Sequence, residues 1–294
     1  MAKMPRRTFC TAALGGLAAF PGFAPGARAA GRARAADPSK PAMGLVHATD
    51  LFRPHNDPDD HFDLACAYAL AARGRVELAA VLIDHPPAGF AGDPDVLAVA
   101  QMNRIAGLAV PIFTGSPRRL DPAEALRPGN RAGAAGALAL LEILRRSPVP
   151  VEISIVGSCR DAALAGRLEP GLFAEKCAGV YLNAGSGTPD RAKAAQLEYN
   201  VGLDPVSYAA IFDLPCPLYW LPCFEVAPGR GQGMAVAEYG TFYRFSQKDV
   251  LPRLSDRVQN FFAFMFKQGE SERKRQAEHE ALRPNWLRYL EGPR

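Results

Sequence analysis

The chain has 294 residues, 34 Lys+Arg against 30 Asp+Glu, and a formal net charge of +4. With 48% hydrophobic and 22% charged residues it has the balance of an ordinary globular protein, which excludes a disordered chain, a collagen-like fibre and a coiled coil. Four surplus positive charges are too few to argue for a nucleic-acid partner.

Residues 1–29 read as an export address. Lys3, Arg6 and Arg7 form a positive start, a weakly apolar stretch runs from Phe9 to Phe23, and Ala27-Arg28-Ala29 offers small residues where a signal peptidase cuts. The Arg6-Arg7 pair before Thr8-Phe9 resembles a twin-arginine export signal, so a periplasmic or secreted location is expected. The apolar run is too short and too interrupted by Gly and Pro to span a bilayer, and no membrane partner is expected once the signal is removed. That removal takes away Lys3, Arg6, Arg7 and Arg28 and no acid, leaving 30 basic and 30 acidic residues. Residues 30–43, rich in Ala, Arg and Pro, read as a disordered linker. Residues 44–294 read as a single domain.

Five cysteines remain after Cys10 leaves with the signal: Cys66, Cys159, Cys177, Cys216 and Cys223. An odd number without a C-x-x-C argues against a disulfide framework or a zinc site. Small buried hydrophobes is the simpler reading, with a Cys216–Cys223 pair in an oxidising compartment as the alternative.

From Gly44 onward, strand-like and helix-like runs alternate. Gly44–Thr49 reads as a strand and Asp60–Arg73 as a helix, with Phe62, Leu64, Ala65, Tyr68 and Ala69 at helical spacing. Val76–Ile83 is a strand, Asp95–Gly107 a helix, Val110–Phe113 a short strand and Gly133–Arg146 an Ala/Leu-rich helix. Val151–Val156 follows as a strand, Ala162–Leu168 as a helix and Gly179–Leu182 as a strand. Pro205–Phe212 reads as a helix, Leu218–Leu221 as a strand and Asp256–Lys267 as a Phe-rich helical stretch. The charged run Gly269–Glu280 reads as a solvated helix face. This alternation predicts an α/β fold with an open, mostly parallel sheet and helices on both faces. Ligands of such sheets bind outside the carboxyl ends of the strands, so chemistry is expected just after each strand.

The densest chemical signal stands there. Asp50, Asp57, Asp59, Asp60 and Asp63 crowd into fourteen residues after the first strand, with His55, Asn56 and His61 among them. So many carboxylates repel one another unless a cation neutralises them, and oxygen-only donors suit Ca²⁺ or Mg²⁺. Turn and N-cap chemistry accounts for one or two of the aspartates but not readily for five.

This stretch resembles the N-terminal signature of the nucleoside hydrolase superfamily, in which an Asp follows the first strand and an Asp-Asp pair opens the helix. Here these are Asp50 and Asp59-Asp60, with Asn56-Asp57-Pro58 preceding the pair as in one branch of the family and Phe52-Arg53-Pro54-His55 inserted in the loop. Two later segments are similar in the same order. Gly157-Ser158-Cys159-Arg160-Asp161 stands where the family has Gly-Pro-Leu-Thr-Asn. Asn183-Ala184-Gly185, then Glu198-Tyr199-Asn200 and Asp204-Pro205, resemble its strand end, its ribose-holding Glu-Phe-Asn and its next helix start. After the second strand the family tends to carry Gly-Asn, and this chain departs from it with Ile83-Asp84-His85.

The resemblance implies a Rossmann-like fold of nucleoside hydrolase type and metal-dependent hydrolysis of an N-riboside. It implies Ca²⁺ ahead of Mg²⁺ as the cofactor and a small nucleoside or riboside as the partner, and it leaves a homo-oligomer open. It makes Asp50 the general base and a metal ligand, Asp60 the main carboxylate ligand, and the Arg160 backbone carbonyl a further ligand. Asp59, Asn183, Glu198 and Asn200 would face the ribose, and His55, His61 and His85 stand near enough in sequence to assist the leaving base. The family's C-terminal His-Asp is not found after Glu225; Glu225, just after the strand Leu218–Leu221, is the candidate for the missing carboxylate. The family's usual length also implies a further C-terminal element. The missing motif keeps a second reading in view, a catalytically impaired sugar- or nucleoside-binding protein of the same fold. A hydrolase of a different glycoside is a third, because a metal cradle does not fix the leaving group.

Overall fold

The computed structural model describes residues 43–51, 59–84, 94–116, 118–120, 134–187, 190–195, 197–223 and 245–267. The predicted signal, the linker up to residue 42, Glu225, His55 and His85, the charged run and Asp57 lie outside the described residues.

Six strands, β1 (Gly44–Thr49), β2 (Glu77–Ile83), β3 (Ile112–Thr114), β4 (Val151–Ile155), β5 (Cys177–Asn183) and β6 (Leu218–Leu221), form one sheet in the order β3-β2-β1-β4-β5-β6. Every neighbouring pair is parallel. The expected mostly parallel sheet is therefore wholly parallel over these strands. The chain builds outward from β1 to β3, then returns to the other side of β1 and builds outward again to β6. That reversal puts a topological switch point between β1 and β4.

Helices α1 (Asp59–Ala72) and α2 (Pro94–Ala106) cover one face, joined by α10 (Asp256–Lys267). Their buried layer includes Leu64, Tyr68, Val99, Met102, Phe261 and Phe262, set against Val81 and Ile83 of the sheet. The other face carries α3 (Ala135–Arg146), α4 (Arg160–Leu168), α5 (Pro170–Lys176) and α8 (Pro205–Ile211). α3 shows why the sequence folds as it does: good helix formers place Ala137, Leu140, Leu141 and Leu144 on one stripe, and that stripe is buried in the core as the helix packs beside β2 and β3. Alternation does the same in β4, where Val151, Ile153 and Ile155 point into the core and Glu152 and Ser154 do not.

Four short helices depart from the expected pattern: α5, α6 (Arg191–Ala194), α7 (Tyr199–Leu203) and α9 (Gln247–Val250). None exceeds seven residues, too few for a periodic signal to emerge. The Cys216–Cys223 pairing is not supported. The two residues flank β6 at opposite ends, and seven residues of extended chain span roughly 20 Å, far beyond a disulfide's reach. All five described cysteines are free thiols.

Candidate active site

The switch point brings together the ends of three strands. The Asp84 N–H donates to the Thr49 carbonyl at 3.0 Å and the Val156 N–H to the Ala48 carbonyl at 3.0 Å, so the ladders run on to the strand ends where chemistry is expected. Thr49 and Asp50 then leave β1, both buried. Asp60, in the first turn of α1, turns its carboxylate back toward them. Its Oδ2 accepts from Thr49 Oγ1 at 3.0 Å and from the Asp50 N–H at 3.2 Å. The nearby Asp50 side chain also draws the Asp60 carboxyl down. Burial, set against that pull and reinforced by the charge of Asp59, pushes the Asp60 carboxyl up to about 6. Asp59 is exposed, and its Oδ1 accepts the Asp60 N–H at 3.0 Å, a helix-opening contact. Asp63 is exposed one turn on.

Gly157 closes the site from the β4 side. A Cβ at this position would lie 3.1 Å from Asp50 Cβ and Cγ and 3.2 Å from its nitrogen, so a side chain here would press that carboxyl back by a few tenths of an ångström. The next residue, Ser158, donates its N–H to Asp84 Oδ2 at 3.2 Å. Asp84, in sequence only a departure from the family pattern, thus stands at the site; its position straight after β2 is the signal that points there.

Arg160 opens α4 with its side chain buried. Nε donates to Asp204 Oδ2 at 2.9 Å, and the guanidinium also reaches the carbonyls of Ser116 at 2.9 Å and Leu203 at 3.3 Å. Asp204 in turn accepts from the N–H groups of Leu120 at 2.7 Å and Ser207 at 3.0 Å, the latter capping α8. The Arg160 side chain is thus a structural tie. Its neighbour Asp161 accepts from the Ser116 N–H at 2.9 Å and from Ser116 Oγ at 2.5 Å. Burial pushes that carboxyl up to about 6, against the pull of the Ser116 hydrogen bonds. Gly115 and Gly136 make room for it, since a Cβ on either would overlap its oxygens. No sequence motif announces this buried Asp161–Ser116 pair.

Three of the four residues expected at the ribose, Asn183, Glu198 and Asn200, gather at the ends of β4, β5 and β6, where they bind backbone. Glu198 caps α7, accepting from Asn200 N–H at 2.9 Å and Val201 N–H at 3.3 Å, and its Oε2 also takes the Gly185 N–H at 2.7 Å. Asn200 Nδ2 bridges the carbonyls of Val156 and Asn183 at 2.8 and 3.1 Å. Asn183 Nδ2 donates to Leu221 O at 3.1 Å. His61 is buried under α10, its ring 6.1 Å from that of Phe261.

The donor set fits a hard divalent cation in kind. Asp50 and Asp60 offer oxygen only, both are buried, and the Asp50 N–H donates to the Asp60 carboxylate. Among the described residues, no three His, Cys, Asp or Glu are grouped to hold a metal ion.

No family model matches the chain, and no curated protein matches it. Solved structures do. A type III effector protein, XopQ, complexed with adenosine diphosphate ribose is similar over 62% of this chain and 58% of its own, at 21% identity and a TM-score of 0.45. An inosine-guanosine nucleoside hydrolase is similar over 62% of this chain and 60% of its own, at 20% identity and a TM-score of 0.45. A plant nucleoside hydrolase is similar over 78% of this chain and 73% of its own, at 15% identity and a TM-score of 0.46. The chain therefore spans under two thirds of the first two of these structures.

Proposed function

We propose that this protein is an exported, cation-dependent N-riboside hydrolase. The observation that carries the reading is the Asp50–Asp60 pair, buried and hydrogen-bonded at the switch point, within a sequence that resembles the nucleoside hydrolase signature. Asp50 and Asp60, with the Arg160 carbonyl and Glu225 as further candidates, would hold a Ca²⁺ ion, which would supply Lewis acidity toward a water at the sugar.

The chain's own groups do the rest. Asp50, packed against Gly157 and bonded to Asp60, is held where it can take a proton from the attacking water. Asp59 is exposed at the mouth, where it can meet ribose hydroxyls. Glu198, Asn200 and Asn183 fix the floor on which the sugar would lie, and such positioning lowers the entropic barrier to attack. Any protonation of the leaving base falls to His61, or to His55 or His85.

The engagement of Glu198, Asn200 and Asn183 by backbone groups favours one second reading, a binding protein of the same fold without turnover. Ribose release from a panel of purine and pyrimidine nucleosides by the Ca²⁺-loaded protein separates the two. Release is expected from at least one nucleoside, with Asp50→Asn losing it by at least about 100-fold while keeping nucleoside binding. Full turnover in Asp50→Asn contradicts the base assignment, and nucleoside binding without release by the wild type favours the binding protein.

A further inference from the structure

The amino end of the sheet, opposite the site, holds a pair of thiols that the proposed hydrolysis does not use. Cys177 begins β5, and Cys216 lies two residues before β6. In a regular strand Cys177 and Val180, three positions apart, would face opposite sides. β5 is not regular there: against β4, Val151 pairs with Cys177 and the next residue, Glu152, pairs with Gly179. The extra residue, Ala178, reverses the alternation. Cys177 consequently joins Val180 and Leu182 in the same buried layer.

β6 brings Cys216 to that layer as well. Val180 pairs with Leu218, and Cys216, two residues before Leu218, keeps its face and packs against the same core. Pro215 and Pro217 restrict the backbone on both sides of Cys216, and the Val180 N–H holds the Pro217 carbonyl at 2.9 Å. Neighbouring strands lie about 4.8 Å apart, inside the Cα separations that a disulfide accepts. The two thiols are near enough for each to shift the other's titration.

We infer that Cys177 and Cys216 are a thiol–disulfide couple, closed by exchange with a disulfide oxidant of the glutathione or dithiol-oxidoreductase class. The two sulfurs differ in readiness. The Cys177 thiol beside it draws the Cys216 thiol below its ordinary range, while Cys216 and burial push Cys177 above its own. Cys216 is also the more exposed of the two. Its thiolate attacks one sulfur of the oxidant R–S–S–R, forming a Cys216–S–S–R bond and expelling R–S⁻. Cys177 gives its proton to a departing thiolate, attacks Cys216 Sγ and expels the second R–S⁻. Two protein thiols are oxidised to one disulfide, and one R–S–S–R is reduced to two R–SH that carry both protons away. The closed loop contains Glu198, Asn200 and Asp204, so the bridge would restrain the segment that supports the proposed sugar site.

The test treats the full-length protein with oxidised glutathione, blocks remaining thiols with N-ethylmaleimide after denaturation, and maps peptides by mass spectrometry without reduction. The expected product is a Cys177–Cys216 linked peptide, with Cys159 and Cys223 carrying maleimide. Cys177→Ser should stop at a glutathione adduct on Cys216, and Cys216→Ser should leave Cys177 without one. Glutathione on both cysteines with no link, a Cys216–Cys223 link, or an adduct on Cys177 in Cys216→Ser would each overturn the inference. None of these readouts depends on nucleoside hydrolysis.

Discussion

At the scale of single residues, the site is governed by how close two chain segments come. Asp50 is held on one side by its bond to Asp60 and on the other by the bare Cα of Gly157. Gly157→Ala would force the Asp50 carboxyl to give by a few tenths of an ångström, because the new methyl meets Cβ and Cγ at 3.1 Å. The expected stability cost is that of modest overpacking, on the order of 1–3 kcal/mol. The expected loss of Ca²⁺ affinity is larger in kind, roughly 10–100-fold, because the displaced group is the proposed ligand. Urea unfolding and a Ca²⁺ titration of the same variant check this; lost stability with unchanged affinity would separate Gly157 from the site. Asp50, Asp60 and Gly157 are legible in the sequence, because each stands just after a strand or opens a helix. That Glu198 and Asn200 spend their polar atoms on backbone is not. It depends on three strand ends meeting, which no local pattern encodes.

Between elements, the buried Arg160–Asp204 bridge, with side chains 9% and 1% exposed, joins α4 to the start of α8. Leu120 and Ser116 tie the segment after β3 into the same contact. An arginine this buried is tolerable only while its partner is charged and its other donors are satisfied. Asp204→Asn keeps the shape and the α8 cap but leaves the guanidinium without its counter-charge. It should cost on the order of 3–5 kcal/mol in urea unfolding. A cost below about 1 kcal/mol would mean that the carbonyls of Ser116 and Leu203 suffice. The sequence motif points to Arg160 for its backbone carbonyl alone. Its side-chain role is hidden there because Asp204 lies 44 residues away. The helices themselves are legible wherever they run nine residues or more, as in α3 and α4. The bulge in β5 is not, since it shows only as a parity change once β4 is alongside.

For the molecule as a whole, the sheet order β3-β2-β1-β4-β5-β6 converts a scatter of motifs into one place. Asp50, Asp84, Gly157, Asn183 and Glu198 come from distant parts of the sequence yet stand at the same end of one parallel sheet. The balance of charge follows the same lesson. If the expected signal is cleaved, 30 basic and 30 acidic residues remain, and neutrality overall conceals an acidic pair buried at the centre. Two carboxyls in such a place gain most from a divalent cation. Isothermal calorimetry with Ca²⁺ tests this directly, comparing wild type with Asp60→Ala and Asp60→Asn, each shown by circular dichroism to be folded. Saturable binding at one site in the wild type, lost in both variants, is the predicted result. Binding that persists unchanged in the folded variants would contradict the assignment of Asp60, and with it the cation site at the switch point.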